Sequence, residues 1–418
     1  MDRLKEPDRS EALLLLGESL QEQGRLAESV PYLESVSASA SVAVRSRSNV
    51  LRLYGRSFGD ADSRDDTDGA LELLLSEARN AAETNTRLRA LWMAARLCRG
   101  RGDLEMVHQI EARIRSEDFG AMSIEDKGEH ALGIAYCQYL AGEKRLGRMT
   151  IQSIMDELKA NGIVNSVYLS LLSGLGVMKG DLGDYEGETR VLEEGLQIAR
   201  QIGDELRYQQ ICGNLAYIHG KLGNIQEQIR WASVATSFTG PETSVFTHHQ
   251  IHLQKARAYA LQGCEAESLC ALADGRLTGQ KRIPSYLEQA WHLGAADVYV
   301  ILGRSSDALR EARSAVASDA NVLESDKFAG PYARWSARVA VNDGTGVQET
   351  LARLATLRDR ERLLDRIDQF EVLNAKVWLD SRTGVVSEEE RTEMWRRLAA
   401  LPAGAVNEFR KLGMLDID

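Results

Sequence analysis

The sequence predicts an all-α solenoid, a stack of helical hairpins, and three observations predict it. The first is a ladder of glycines, Gly102, Gly142, Gly183, Gly223, Gly263, Gly303, Gly344 and Gly384, each 40 or 41 residues from the next. A fixed period of that size marks an array whose units bury their apolar faces only against their neighbours. The second is the recurrence of apolar residues at helical spacing on both sides of the turn glycines. The third is composition: 44% hydrophobic residues and only six prolines in 418 positions favour helix throughout. Because an array grows by adding units, the length counts repeats rather than globular domains.

Taken in order, Leu16-Gly17, Gly24 and Leu33 mark a first hairpin. The unit from Asn49 to Ala82 lacks a turn glycine, and its long polar connection, Gly59 to Asp66, makes it a degenerate repeat. Gly102-Asp103-Leu104 restores the turn, whereas around Leu132-Gly133 the turn slips by two residues before Gly142. The clearest unit runs from Val167 to Gly203. In it, Leu175-Gly176 lets two helices approach, Gly183 accommodates the tight turn, and Leu192 and Ile198 face back toward the first helix. Forty residues on, Leu215-Ala216, Leu222-Gly223-Asn224-Ile225, Ala232 and Ala235 repeat the pattern. Two more units follow, Ala256 to Gly263 and Ala296 to Gly303, the latter with Ala308, Ala312 and Ala315. Asp368 to Ser381 reads as a helix, Ser387 caps another with Glu388 to Glu390 in its first turn, and Ala403 to Leu412 closes the chain. The organisation is therefore an array over residues 1–360, continuous with a last hairpin and C-terminal cap over 361–418 that shields the terminal face.

These residues resemble the tetratricopeptide repeat family, whose units carry Leu-Gly, then Gly-x-aromatic, then a small residue in the second helix. Leu16-Gly17, Gly24 and Leu33, and again Leu175-Gly176, Gly183 and Tyr185, carry the resemblance. The usual unit is about 34 residues and HEAT or armadillo units run to about 40–47. A glycine inside the hairpin turn, followed by Asp-Tyr, Asn-Ile or Asp-Leu, favours the tetratricopeptide reading. The resemblance implies a right-handed superhelical α-solenoid of about nine to ten hairpins with a C-terminal capping segment. Junctions such as Gln201 to Asp204 look like those of bacterial regulators, in particular the sensor regions of the signal-transduction ATPases with numerous domains and the peptide-sensing regulators. No G-x-x-x-x-G-K-[ST] loop occurs and Glu388 to Asp418 is unlike a helix-turn-helix, so the chain reads as a freestanding relative or an excised sensor region.

Composition excludes several function classes. A net charge of -11 argues against generic attraction to nucleic acid or anionic lipid. Five cysteines, Cys98, Cys137, Cys212, Cys264 and Cys270, form no CxxC pair and read as reduced thiols packed in a cytoplasmic protein. The N-terminus lacks a signal peptide's apolar run, and no stretch approaches the roughly 18 apolar residues of a membrane span. His248, His249 and His252 are the one histidine cluster; His248 and His252 share a helix face, but third and fourth zinc ligands are missing. With no G-x-S-x-G elbow or cysteine signature either, the expectation is a non-enzyme with no cofactor and no metal.

The candidate site is then the concave surface, which in the resembled family is lined by the first helix of each unit. Counted from the turn glycines, Gln210, Tyr217, Lys221, Gln250, Arg257, Arg334 and Arg338 point inward, as do Ser173, Val177 and Asp297. Such a groove suits an extended peptide or a partner's helix, with Arg and Tyr as anchors. The family's carboxylate clamp is not expected, because Gly213 and Tyr217 stand where its Lys and Asn would be. The function predicted is a scaffold or sensor for a protein or peptide partner in bacterial signalling; the alternative is a domain sensing a small-molecule or peptide inducer.

Overall fold

A computed structural model describes residues 5, 8–22, 26–59, 67–100, 103–117, 122–238, 245–276, 285–317, 329–344, 346–359, 361, 364–383 and 387–415. Among the described residues every regular element is a helix, and together they form two compact units. The first, built on Met1–Met178, contains α1 (Asp8–Glu22), α2 (Leu26–Glu34), α3 (Val42–Gly59), α4 (Thr67–Asn80), α5 (Thr84–Gly100), α6 (Leu104–Arg115), α7 (Ile124–Leu140), α8 (Lys144–Ala160) and most of α9 (Ser166–Asp181). The second, built on Lys179–Thr239 and Val245–Asp418, contains α10 (Tyr185–Ile202), α11 (Glu205–Leu222), α12 (Ile225–Ser237), α13 (Val245–Gln262), α14 (Glu265–Gly275), α15 (Ser285–Ile301) and α16 (Ser305–Ala317). It continues with α17 (Ala329–Asp343), α18 (Val347–Asp359), α19 (Arg366–Thr383), α20 (Glu388–Ala399) and α21 (Ala403–Lys411).

The turn glycines behave as the ladder requires. Gly142, Gly183, Gly223, Gly263 and Gly303 all have φ between 75° and 85°, a left-handed conformation that costs a Cβ-bearing residue. In each case the next residue's N–H bonds the carbonyl five residues back: Glu143 to Gln138, Asp184 to Lys179, Asn224 to His219, Cys264 to Tyr259 and Arg304 to Tyr299, at 2.8–2.9 Å. This Schellman closure ends one helix while the residue after the glycine begins the next, so the connection is as short as a hairpin allows. Gly142 closes like the others, which removes the two-residue slip expected around Leu132-Gly133. Gly24, Gly102, Gly384 and the polar connection after Gly59 lie outside the described residues.

Several glycines mark close approach between helices. A Cβ on Gly174 would press on Ile151 and Leu132, one on Gly180 would meet the Glu188 carboxyl, and one on Gly220 would meet the Gln228 amide. Gly17 does sit against Leu33 as the first hairpin requires. Ala, Leu, Val and Ile fill the cores: Val50, Leu74, Leu91, Val107 and Ile114 in the first unit, and Ala256, Ala296, Ala312, Ala333 and Leu379 in the second. Two buried glutamines stitch successive repeats: Gln209 donates to the Ala235 carbonyl and Gln289, two periods later, to that of Ala315.

The C-terminal helix α21 runs along α11, and Gly404 packs backbone to backbone on Gly223 and the Lys221 carbonyl. Its apolar side, with Ala405 and Phe409, joins Ile367, Phe370 and Leu373 of α19 and Met394 and Leu398 of α20 in one core. The Phe370 and Phe409 rings lie 5.0 Å apart. Two glycines and two aromatic rings thus set the course of α21.

Candidate functional site

One repeat position organises the inner face of the second unit. Tyr217, Arg257, Asp297 and Arg338 each stand six residues before a turn glycine, so α11, α13, α15 and α17 present them in register. The 40-residue period therefore builds a row of alternating chemistry from one place in the repeat.

Around that row the charges are tightly paired. Lys221 sits 4.4 Å from the centre of the Tyr217 ring and 3.1 Å from Asp365. Burial works against its charge, but Asp365 and the flanking phenols outweigh that and hold the ammonium pKa above the usual lysine value. Burial likewise pushes the Tyr217 hydroxyl up. Arg334 places one guanidinium nitrogen 2.7 Å from both oxygens of Asp297 and the other 3.0 Å from Glu371, while the Trp335 indole also donates to Asp297. Asp368, beside Asp365 and Glu371, is raised well above the usual carboxyl range, first by burial and then by those two neighbours. Its oxygen accepts the Gly330 N–H at 3.2 Å.

The groove is occupied by the chain's own C-terminal segment. Glu408 pairs with Arg257, and the Lys411 ammonium donates to the Leu261 carbonyl at 2.9 Å. Arg338 donates to the carbonyls of Leu412 and Gly413, Asn374 donates to that of Met414 at 3.1 Å, and Arg334 faces the Met414 sulfur at 3.2 Å. The segment from Gly404 to Met414 thereby touches α11, α13, α17 and α19, as one helix laid in a groove.

Of the seven residues expected at the site, Tyr217, Lys221, Arg257, Arg334 and Arg338 are brought together here. Gln210 and Gln250 are half-buried on α11 and α13, and none of the C-terminal contacts falls on them. Arg334 departs from the expectation of an open anchor: it is 3% exposed, and Asp297, Glu371 and Met414 surround it. Sequence reasoning missed the acidic residues Asp365, just before α19, and Asp368 and Glu371 on it, and the occupying segment itself. Their spacing along α19 is a signal of a shared helix face; nothing local in the sequence says which groove that face meets.

The histidine cluster has a structural explanation. His249 stands one period from both Gln209 and Gln289 and packs its ring 4.9 Å from Trp291, while His252 packs over Gly275. Burial, followed by the neighbouring histidines, lowers His249 to about 4, and burial with His248 does the same for His252. Among the described residues, the group with ligand atoms mutually within 4.8 Å is His108, Glu111 and Glu143. Glu111 there already accepts hydrogen bonds from Arg115 and Gln138, which fixes its position without an ion. Burial pushes the Cys137 thiol up to about 12 and the Cys212 thiol up to about 11, the opposite of what a nucleophile needs. No helix among the described residues is long and apolar enough to cross a membrane.

The first unit carries a separate cavity of about 670 Å³ on the faces of α3, α5 and α7, lined in part by Arg47, Arg89, Trp92, Asp126 and Glu129. Arg47 and Arg89 both bind Glu18, at 2.6–2.7 Å. Trp92 stands edge-on between Tyr54 and Tyr136, with ring centres 5.8 and 6.0 Å away.

No protein-family model and no curated protein matches this sequence. Solved structures do. The chain is similar to a Rap protein complexed with competence and sporulation factor, with a TM-score of 0.50 and 10% identity over 97% of this chain and 99% of that one. It is also similar to the quorum sensor NprR from B. thuringiensis in its apo form, with a TM-score of 0.48 and 10% identity over 86% and 99%. A third is the Rap conjugation gene regulator of plasmid pLS20 in complex with the Phr* peptide, with a TM-score of 0.44 and 12% identity over 99% of both chains. At such identities the likeness concerns the fold, and the first of the three carries it: this chain has the architecture of a tetratricopeptide-like array of helical hairpins.

Proposed function

We propose that this chain is a non-catalytic helical-repeat sensor or scaffold that binds a peptide or a segment of a partner protein on the inner face of its second unit. The setting we infer is bacterial, cytoplasmic signalling or regulation, without nucleic acid or membrane as direct partner. One observation carries the reading: Arg257 and Arg338 of the inner row already hold a length of polypeptide through side-chain and backbone contacts, to which α19 and α20 add apolar ones. A surface that receives one helix by its main chain and its Glu and Phe side chains has the chemistry to receive another. Two of the similar structures are named as complexes with a peptide or factor, which agrees with the proposal.

A second reading is favoured by the cavity in the first unit. Its volume of about 670 Å³, with Trp92 in its wall and charged residues around it, is in the range of small-ligand sites. There the chain would be the inducer-sensing part of a regulator. Capture from native cell extract on the full chain, beside a Tyr217→Ala/Arg257→Ala double variant and a Trp92→Ala variant, separates the readings by mass spectrometry of peptides, proteins and small molecules. A peptide or protein lost only on the double variant is the expected result. A small molecule lost only on Trp92→Ala overturns it in favour of the cavity.

A further inference from the structure

The occupant of the second unit's groove fits it incompletely. Beneath the C-terminal segment, Arg257 Nε, Arg334 Nε, Glu371 Oε2 and Asn374 Oδ1 are buried and have no hydrogen-bond partner among the described residues. Arg334, Glu371 and Asn374 are each at most 4% exposed, so these atoms lose water without gaining a replacement. Buried donors and acceptors left unmade are costly, and buried charges more so. The segment is also weakly anchored as a helix. It has nine residues, its N-cap is Pro402 with no side-chain cap bond, and it follows α20 after only Ala400, Leu401 and Pro402. A helix this short does not persist alone in water, so it depends on the groove for its form.

Deepening the reading above and resting on it, we propose that the C-terminal segment is a displaceable occupant held in cis. The groove's partner is then an amphipathic helix of another protein, built on the same pattern with more complete hydrogen bonding. That pattern is a small residue able to meet the Gly223 backbone, an acidic residue four positions on for Arg257, and an aromatic residue next to it for the Phe370 pocket, as in Gly404, Glu408 and Phe409. A better partner adds a carboxylate or carbonyl for the free Arg257 and Arg334 N–H groups and a donor for Glu371 and Asn374. Displacing the segment exposes charged side chains to water, which regains their hydration and lowers the cost of exchange.

The test uses the full chain and, as probe, a fluorescent N-acetylated peptide with the sequence of residues 402–415. In Gly404→Ala the new Cβ collides with the Gly223 nitrogen and the Lys221 oxygen, while alanine favours helix, so docking is lost without loss of helix propensity. A short tether gives an effective concentration of about millimolar, so the cis segment outcompetes a free peptide. Gly404→Ala is therefore expected to bind the probe at least about 10-fold more tightly than the unaltered chain. The same probe carrying the Gly404→Ala change should bind neither. Glu408→Arg, which opposes Arg257 without a backbone clash, repeats the comparison should the first variant melt early. Equal affinity for the unaltered chain and both variants overturns cis occupancy and leaves the groove's receptor role standing. No probe binding to variants that keep their melting temperature, and whose last residues exchange freely, overturns the receptor role as well.

Discussion

At the residue scale, the period fixes which side chain stands where, and burial decides what each can do. Position six before the turn glycine was legible, because the glycine anchors the register of the helix before it. The state of Arg334 was not, since its partners Asp297 and Glu371 lie on other repeats and spacing alone does not pair them. Arg334→Ala leaves both carboxylates buried without their cation and should destabilise the second unit by about 3–5 kcal/mol in chemical denaturation. Glu188 gives a pH signature. Burial, more than the relief from Lys221, raises its folded pKa from 4.5 to about 8. The folded state holds that proton more tightly, so the contribution is full below pH 4.5 and is lost as pH rises through about 8. Glu188→Gln should match the unaltered chain at pH 4 and exceed it by on the order of a few kcal/mol at pH 8.5, read as a melting-temperature gap that widens with pH. Among the cysteines, Cys270 is exposed while Cys98, Cys137 and Cys212 are buried, so brief iodoacetamide treatment of the native chain should label Cys270 and spare those three.

At the scale of elements, the hairpin turns were the most legible feature, because only glycine adopts their φ without strain. Gly263 tests the conformational term by itself: its φ is 81° and a Cβ there meets no atom within 4 Å. Gly263→Ala should cost about 1–2 kcal/mol by denaturant midpoint. Gly223→Ala should cost more, since its Cβ also presses on Gly404. The helices α19 to α21 were legible as helices from their caps and periodicity, but the course of α21 was not. It is set by Gly404 meeting Gly223 and Phe409 meeting Phe370, contacts between distant parts of the sequence that leave no periodic trace. The same holds for the close approaches at Gly174 and Gly180, which are set by side chains on neighbouring helices.

For the whole molecule, a repeated helical hairpin gives the chain a surface before it gives it a partner. In the second unit that surface is charged, paired and filled by residues 404–414. A helix of nine residues owes any slow amide exchange to docking rather than to its own stability. The decisive measurement is hydrogen exchange with mass spectrometry on the full chain, comparing residues 404–414 in the unaltered protein and in Gly404→Ala. Slow exchange in the unaltered chain that becomes fast in the variant, together with faster exchange in α11 and α13, is the predicted result. Exchange of residues 404–414 in the unaltered chain at the rate of a free peptide would contradict it.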